Sequence, residues 1–214
     1  MNALRSLAGA VAAVAMLVSA GPARSQTLDI LPDTDLHGWT RIPIPAVAGL
    51  QPKLQWRVDP AERTLICAGD GGHEWLRYDR ELGDFVLTVD WRFTPRGPDE
   101  KKYNSGVGVR LSKLGEIWTQ AQTGLAGAYL FGSNFTDGAL KSFNLSKQMT
   151  ENRVKPAGEW NHFEIRVVGD RITLSVNGAA VNELPGVGLR RGYIGLEAEG
   201  YEIAFRNLQL QELK

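Results

Sequence analysis

The nine residues Phe85-Val86-Leu87-Thr88-Val89-Asp90-Trp91-Arg92-Phe93 decide the fold class. Phe85, Leu87, Val89, Trp91 and Phe93 fall on one side, and Val86, Thr88, Asp90 and Arg92 on the other. A period of two is that of a strand with one buried face. Working outward, Ile172, Leu174 and Val176 alternate with Thr173 and Ser175, and Asn177-Gly178 follows. Both positions of an Asn-Gly pair accept positive φ, which suits a two-residue hairpin. Phe163, Ile165 and Val167 predict the strand before it, linked through Gly169-Asp170. Residues 193–198 and 203–210 predict two more, joined through Gly200, and shorter candidates fall at 65–67, 106–111, 118–122 and 128–131. No stretch after residue 25 keeps an apolar period of 3.6 over three turns; only 79–82 reads as a helical turn. Many short strands with turn signals between them predict an all-β sandwich or barrel. The polar stretch 133–156 reads as a long loop that covers or edges a site.

Composition narrows the function classes. The 24 Lys and Arg balance 24 Asp and Glu, so no long-range field gathers nucleic acid or an anionic membrane. Hydrophobic residues make up 43% and charged residues 22% of the 214, the balance of a packed globular chain. One cysteine, Cys67, excludes an internal disulfide and a cysteine-cluster metal site. Arg5, the apolar run 7–18 and the small residues Ala20, Ala23 and Ser25 predict a secretory signal peptide over 1–25. Removal would leave a domain over 26–214, secreted or periplasmic, and no later segment is long and apolar enough to be transmembrane.

Several segments resemble one family when read in order. They are Asp35-Leu36-His37-Gly38-Trp39, Asn104-Ser105-Gly106-Val107-Gly108-Val109-Arg110, Gly158-Glu159-Trp160-Asn161, Asn177-Gly178, Gly195-Leu196-Glu197-Ala198-Glu199-Gly200 and Phe205-Arg206-Asn207-Leu208. With the strands at 65–69, 75–77 and 85–93 they are similar to the 3-keto-disaccharide hydrolase domain. The resemblance implies a concanavalin A-like jelly-roll sandwich of two curved antiparallel sheets, and cleavage of glycosides already oxidised at C3. Its motif at 120–122 is usually Glu-x-Gln, whereas here it is Gln120-Ala121-Gln122. Glu197 stands where the family more often has Gln, so a carboxylate has moved within one cavity by our reading.

The implied chemistry sets demands. A C3 ketone acidifies the C2 proton. A base removes it, the C1 substituent is expelled, and water adds across the alkene. The site needs a carboxylate or other base near C2 and a cation, metal or hydrogen-bond donors at the C3 oxygen. An ordinary glycosidase needs two carboxylates flanking the bond instead. Strand phase nominates Glu199 and Glu197 as bases, with Asp90 next. Arg92 and Arg110 are candidates to orient substrate or steady the C3 oxygen, and Asn104, Gln120 and Gln122 to bond sugar hydroxyls. His73, in a glycine-rich loop, is a candidate base, and Trp75 and Trp118 are candidates to stack on a sugar ring. Trp39, Trp91 and Trp160 read as core. No ligand spacing demands a cofactor; a divalent cation on the carboxylates is one option. Each choice has a plain alternative: Asp90 and Arg92 as an outward ion pair, Glu197 and Glu199 as a solvated face, Arg110 as a cap on neighbouring carbonyls. For the whole chain, the alternatives to an enzyme are a carbohydrate-binding module of the same fold and a structural envelope protein.

Overall fold

The computed structural model describes residues 26–136 and 138–213. The predicted signal peptide, 1–25, lies outside them. Fifteen strands are present among the described residues: β1 (Thr27–Asp29), β2 (Trp39–Pro43), β3 (Trp56–Asp59), β4 (Thr64–Cys67), β5 (Glu74–Tyr78), β6 (Phe85–Phe93), β7 (Ser105–Leu111), β8 (Trp118–Thr123), β9 (Leu130–Thr136), β10 (Ala139–Asn144), β11 (Asn161–Val168), β12 (Arg171–Val176), β13 (Ala179–Leu184), β14 (Tyr193–Ala198) and β15 (Ile203–Glu212). They form two antiparallel sheets packed as a jelly-roll sandwich. One runs β13-β12-β11-β6-β15-β4-β3, with β1 on β15, and the other β10-β9-β8-β7-β14-β5-β2.

The alternation in β6 is the reason for the layering. Its five apolar positions are buried and the four between them are not. β11, its neighbour, alternates in the same way. Trp91 meets Phe93 and Phe163 edge-on at centroid distances of 5.7 and 5.3 Å, geometry that the ring quadrupoles favour. Asn177 (φ 48°) and Gly178 (φ 88°) make the predicted hairpin turn between β12 and β13. Cys67 is fully buried, and burial pushes its thiol up to about 12.

Three expectations are corrected. Residues 133–156 are not one loop, because β9 and β10 pair across them. β10 is a sheet edge with mostly exposed residues, so it carries no apolar alternation to betray it. Residues 79–82 form bends that end in a bridge from Leu82 to Gly192, not a helical turn. Trp160 is only half-buried and lies outside the core, with the guanidiniums of Arg92 and Arg206 at 4.5 and 4.0 Å from its ring.

β14 and β15 are consecutive but lie in different sheets, so Gly200 belongs to a crossing between layers. A buried carboxylate also ties the layers. Glu74 on β5 accepts the Trp56 indole N–H from β3 at 2.8 Å and two bonds from the Arg41 guanidinium, each 2.8 Å.

Candidate functional site

The outward face of the seven-stranded sheet holds a cavity of about 320 Å³. Its floor exists because two strands lack side chains there. Gly108 on β7 pairs with Gly195 on β14. A Cβ at either would lie 3.1 Å from the Trp75 ring, and a Cβ on Gly106 would lie 2.0 Å from Gln120 Nε2. Trp75 and the Gln120 amide therefore rest directly on backbone. Trp75, Ile42 and Leu111 form a second apolar cluster, with Ile44, Trp118 and Tyr193 packed against it.

A polar row runs beside it. Glu197, 4% exposed, accepts from Gln120 Nε2 at 2.6 Å and from His73 Nε2 at 2.8 Å. Its backbone carbonyl accepts from Ser105 Oγ at 2.7 Å. Gln120 Nε2 also reaches Gln122 Oε1 at 3.3 Å, and Gln122 Nε2 donates to Asn104 Oδ1 at 2.6 Å. His73 Nε2 stands 3.9 Å from Glu199 Oε2. Both oxygens of Glu197 are thus engaged, while the Glu199 side chain stays 37% exposed. The bond to Glu197 holds the His73 imidazole above its usual pKa. Burial, and then the negative charge of Glu197, push the Glu199 carboxyl up. Such a carboxylate is a stronger base than an ordinary one.

The structure gathers Glu197, Glu199, His73, Asn104, Gln120, Gln122, Trp75 and Trp118 around this one cavity. Three sequence candidates lie elsewhere. Asp90 and Arg92 are on β6 of the other sheet. The Asp90 carboxylate accepts from His162 Nδ1 and Asn207 Nδ2, each at 2.7 Å, and Arg92 stacks on Trp160. Alternation separates inward from outward residues but does not say which sheet a strand joins. Arg110 has no exposed side-chain surface. At φ 52° it sits where β7 slips register against β14, and its guanidinium turns to the carbonyls of Leu82 and Arg190 and to Asp84. That is the carbonyl-capping alternative.

Four lining residues escaped the sequence reading: Ile44, Gly115, Tyr129 and Phe131. Phe131 meets Trp118 edge-on at 5.0 Å and Tyr129 at 5.7 Å. Tyr129, Phe131 and Ser133 share a parity that would have placed the two rings beside Gln120, had β9 been recognised past residue 131. Ile44 lies just beyond β2 in a proline-rich connection with no periodic signal.

Aromatic walls beside amide donors suit a sugar ring, with C–H faces on the rings and hydroxyls on the amides. The imidazole and two carboxylates can move protons. They also fit a divalent cation, since one ligand atom from each of His73, Glu197 and Glu199 lies within 4.8 Å of the others. Mixed imidazole and carboxylate donors suit ions such as Mn²⁺ or Zn²⁺.

The bare floor makes a prediction. In Gly106→Ala the new methyl overlaps the buried Gln120 side chain from Cγ to Nε2 and breaks its bond to Glu197. The expected result is a stability loss of about 1–3 kcal/mol and affinity for a sugar ligand lower by about tenfold. Tryptophan fluorescence titration checks it; unchanged affinity would show that Gln120 does not order the site.

The family described as 3-keto-alpha-glucoside-1,2-lyase-like domain matches residues 29–211. No curated protein matches. Among solved structures, the carbohydrate-binding module CBM66 from Bacillus subtilis is similar, with TM-score 0.60 and 15% identity over 82% of this chain and 96% of that one. A glycosyl hydrolase, so described only provisionally, from Parabacteroides distasonis gives TM-score 0.54 and 20% identity, covering 74% and 90%. A β-1,3-1,4-glucanase from a mouse hindgut metagenome gives 0.57 and 11%, covering 88% and 99%. At these identities the likeness shows a shared fold.

Proposed function

We propose, for a chain that belongs to the 3-keto-alpha-glucoside-1,2-lyase-like domain family, that the cavity binds a 3-keto-glycoside and cleaves it by elimination across C1–C2 followed by hydration. The observation that carries the reading is the joining of Glu199, His73 and Glu197 to an aromatic wall in one cavity. Glu199, half-buried on the cavity lining and 3.9 Å from His73 Nε2, takes the C2 proton. The electron pair moves onto the C3 oxygen, then returns to expel the C1 substituent. His73, whose protonated form Glu197 favours through Nε2, donates from Nδ1 to the C3 oxygen, and Gln120, Gln122 and Asn104 hold hydroxyls. Trp118 and Phe131 pack the ring. The leader-like residues 1–25 support a secreted or periplasmic setting for this work.

A second reading rests on the 4.8 Å cluster: His73, Glu197 and Glu199 hold a divalent cation. When bound, that ion supplies Lewis-acid polarisation of the sugar ketone. A third, a binding module without catalysis, is favoured by Gln120 in place of an acid.

One assay separates them. The protein is incubated with a 4-nitrophenyl 3-keto-glucoside, with its unoxidised parent and with a chelator. Nitrophenol release from the ketone alone is the expected result. Loss of release on chelation, restored by Mn²⁺, selects the cation reading. Saturable binding with no release selects the binding module, and release from the unoxidised parent overturns the elimination route.

A further inference from the structure

Gln55 does not line the cavity, yet it is 2% exposed and spends its whole amide on the loop that carries His73. Its Oε1 accepts the Gly71 N–H and its Nε2 donates to the Gly72 carbonyl, both at 2.9 Å. Its backbone carbonyl accepts the Ala68 N–H at 2.8 Å. The loop between β4 and β5 has no sheet partner of its own at 69–73. It is a thin layer between two walls. A Cβ on Gly71 would meet Gln55 Cβ at 2.9 Å, one on Gly72 would meet Gln51 Cγ at 2.6 Å, and one on Gly69 would lie 2.3 Å from the Tyr201 carbonyl oxygen. Gly69 and Gly72 also take positive φ, 72° and 97°, which other residues adopt at a cost.

The clamp is itself anchored. The Arg41 guanidinium that grips Glu74 also bonds the carbonyls of Gln51 and Lys53, at 3.1 and 2.9 Å. Lys53 pairs with Asp70 at 2.5 Å, and the Ile44 N–H bonds the His73 carbonyl at 3.0 Å. A continuous set of bonds therefore runs from Glu74 through Arg41 and segment 51–55 to His73, which then meets Glu197 at 2.8 Å. An apolar residue of Gln55's size would fill the same space. What the buried amide adds is direction, because its two bonds fix the backbone immediately before His73.

We propose that Gln55 is a positioning residue: through Gly71 and Gly72 it sets where the His73 imidazole meets Glu197. The proposal rests on the reading that His73 works in the cavity, but its first readout is geometric and independent of turnover. The chain has three histidines, His37, His73 and His162, so imidazole ¹⁵N–¹H spectra of the full protein resolve each one; the His73→Gln spectrum assigns its signal. Gln55→Leu keeps the volume and removes both bonds. It is expected to shift the His73 Nε2–H signal while His37 and His162 stay in place, and to lower kcat on a 3-keto-glycoside about 10- to 100-fold, in line with small misplacements of reacting groups. Gln55→Met removes both bonds as well, with a side chain that adapts its shape to the site. It is expected to move the His73 signal in the same way and serves as the test if Gln55→Leu does not fold. Leu174→Ala, in the core of the other sheet, controls for lost stability and should leave the signal and kcat as they are. An unmoved His73 signal in the Gln55 variants, or the same shift in Leu174→Ala, overturns the proposal. A wild-type protein that cleaves no 3-keto-glycoside, with the signal still moving in Gln55→Leu, leaves the proposal standing and removes the functional reading.

Discussion

Glu199→Gln is expected to reduce aglycone release from a 3-keto-glycoside by about 10²- to 10⁴-fold, the usual worth of a positioned general base. Binding should be retained, because glutamine keeps the shape and hydrogen-bonding capacity of the side chain. Glu197→Gln is expected to lose rate for a different reason. The His73 N–H then faces a neutral amide, and the charge that favours its protonated form is gone. The pair Gln120 and Glu197 sharpens the test, since the two side chains share one hydrogen bond of 2.6 Å. The double variant Gln120→Glu/Glu197→Gln moves the carboxylate across that bond onto β8. It is expected to recover part of the rate lost in Glu197→Gln alone, a coupling that independent sites would not show. Steady-state kinetics on the four proteins check this. Full turnover in Glu199→Gln would end its assignment as the base.

Arg110→Ala carries the largest expected loss of stability. The guanidinium is fully buried, and burial presses its pKa below the usual value. It satisfies the carbonyls of Leu82 and Arg190 and pairs with Asp84. Truncation orphans those acceptors at about 1–3 kcal/mol each and opens a void, for a total on the order of 3–5 kcal/mol. Lysine cannot reproduce the planar fork that spans three partners, so Arg110→Lys should restore little. Urea unfolding followed by fluorescence measures the loss. A variant of unchanged stability with weakened sugar affinity would instead return Arg110 to the binding site.

The layered all-β fold was legible because burial imposes alternation, as β6 and β11 display along their whole length. The polar members of β8 and β14 were legible for the same reason. Asp90 and Arg92 show where the signal ends: their phase was read correctly, but the pairing of β6 with β11 and β15 is a long-range fact that no local period carries. β10 left no trace because a solvated edge strand buries little. Gln55 and Ile44 were invisible for a related reason, since their roles come from contacts with a loop distant in sequence. The glycines at 106, 108 and 195 were in view as motif letters, but that they form a floor depends on what lies above them.

The carboxylate of Glu74, gripped from both layers, has a mechanical consequence. Sliding one sheet over the other by a single residue would tear the Trp56 bond, the one of its three that crosses the layers, from a nearly solvent-free anion, at a cost of about 1–3 kcal/mol. Shear is therefore opposed in this sandwich as a way to widen its hollow, and a guest of a different outline is met first by the rotamers of the aromatic lining rather than by travel of the frame.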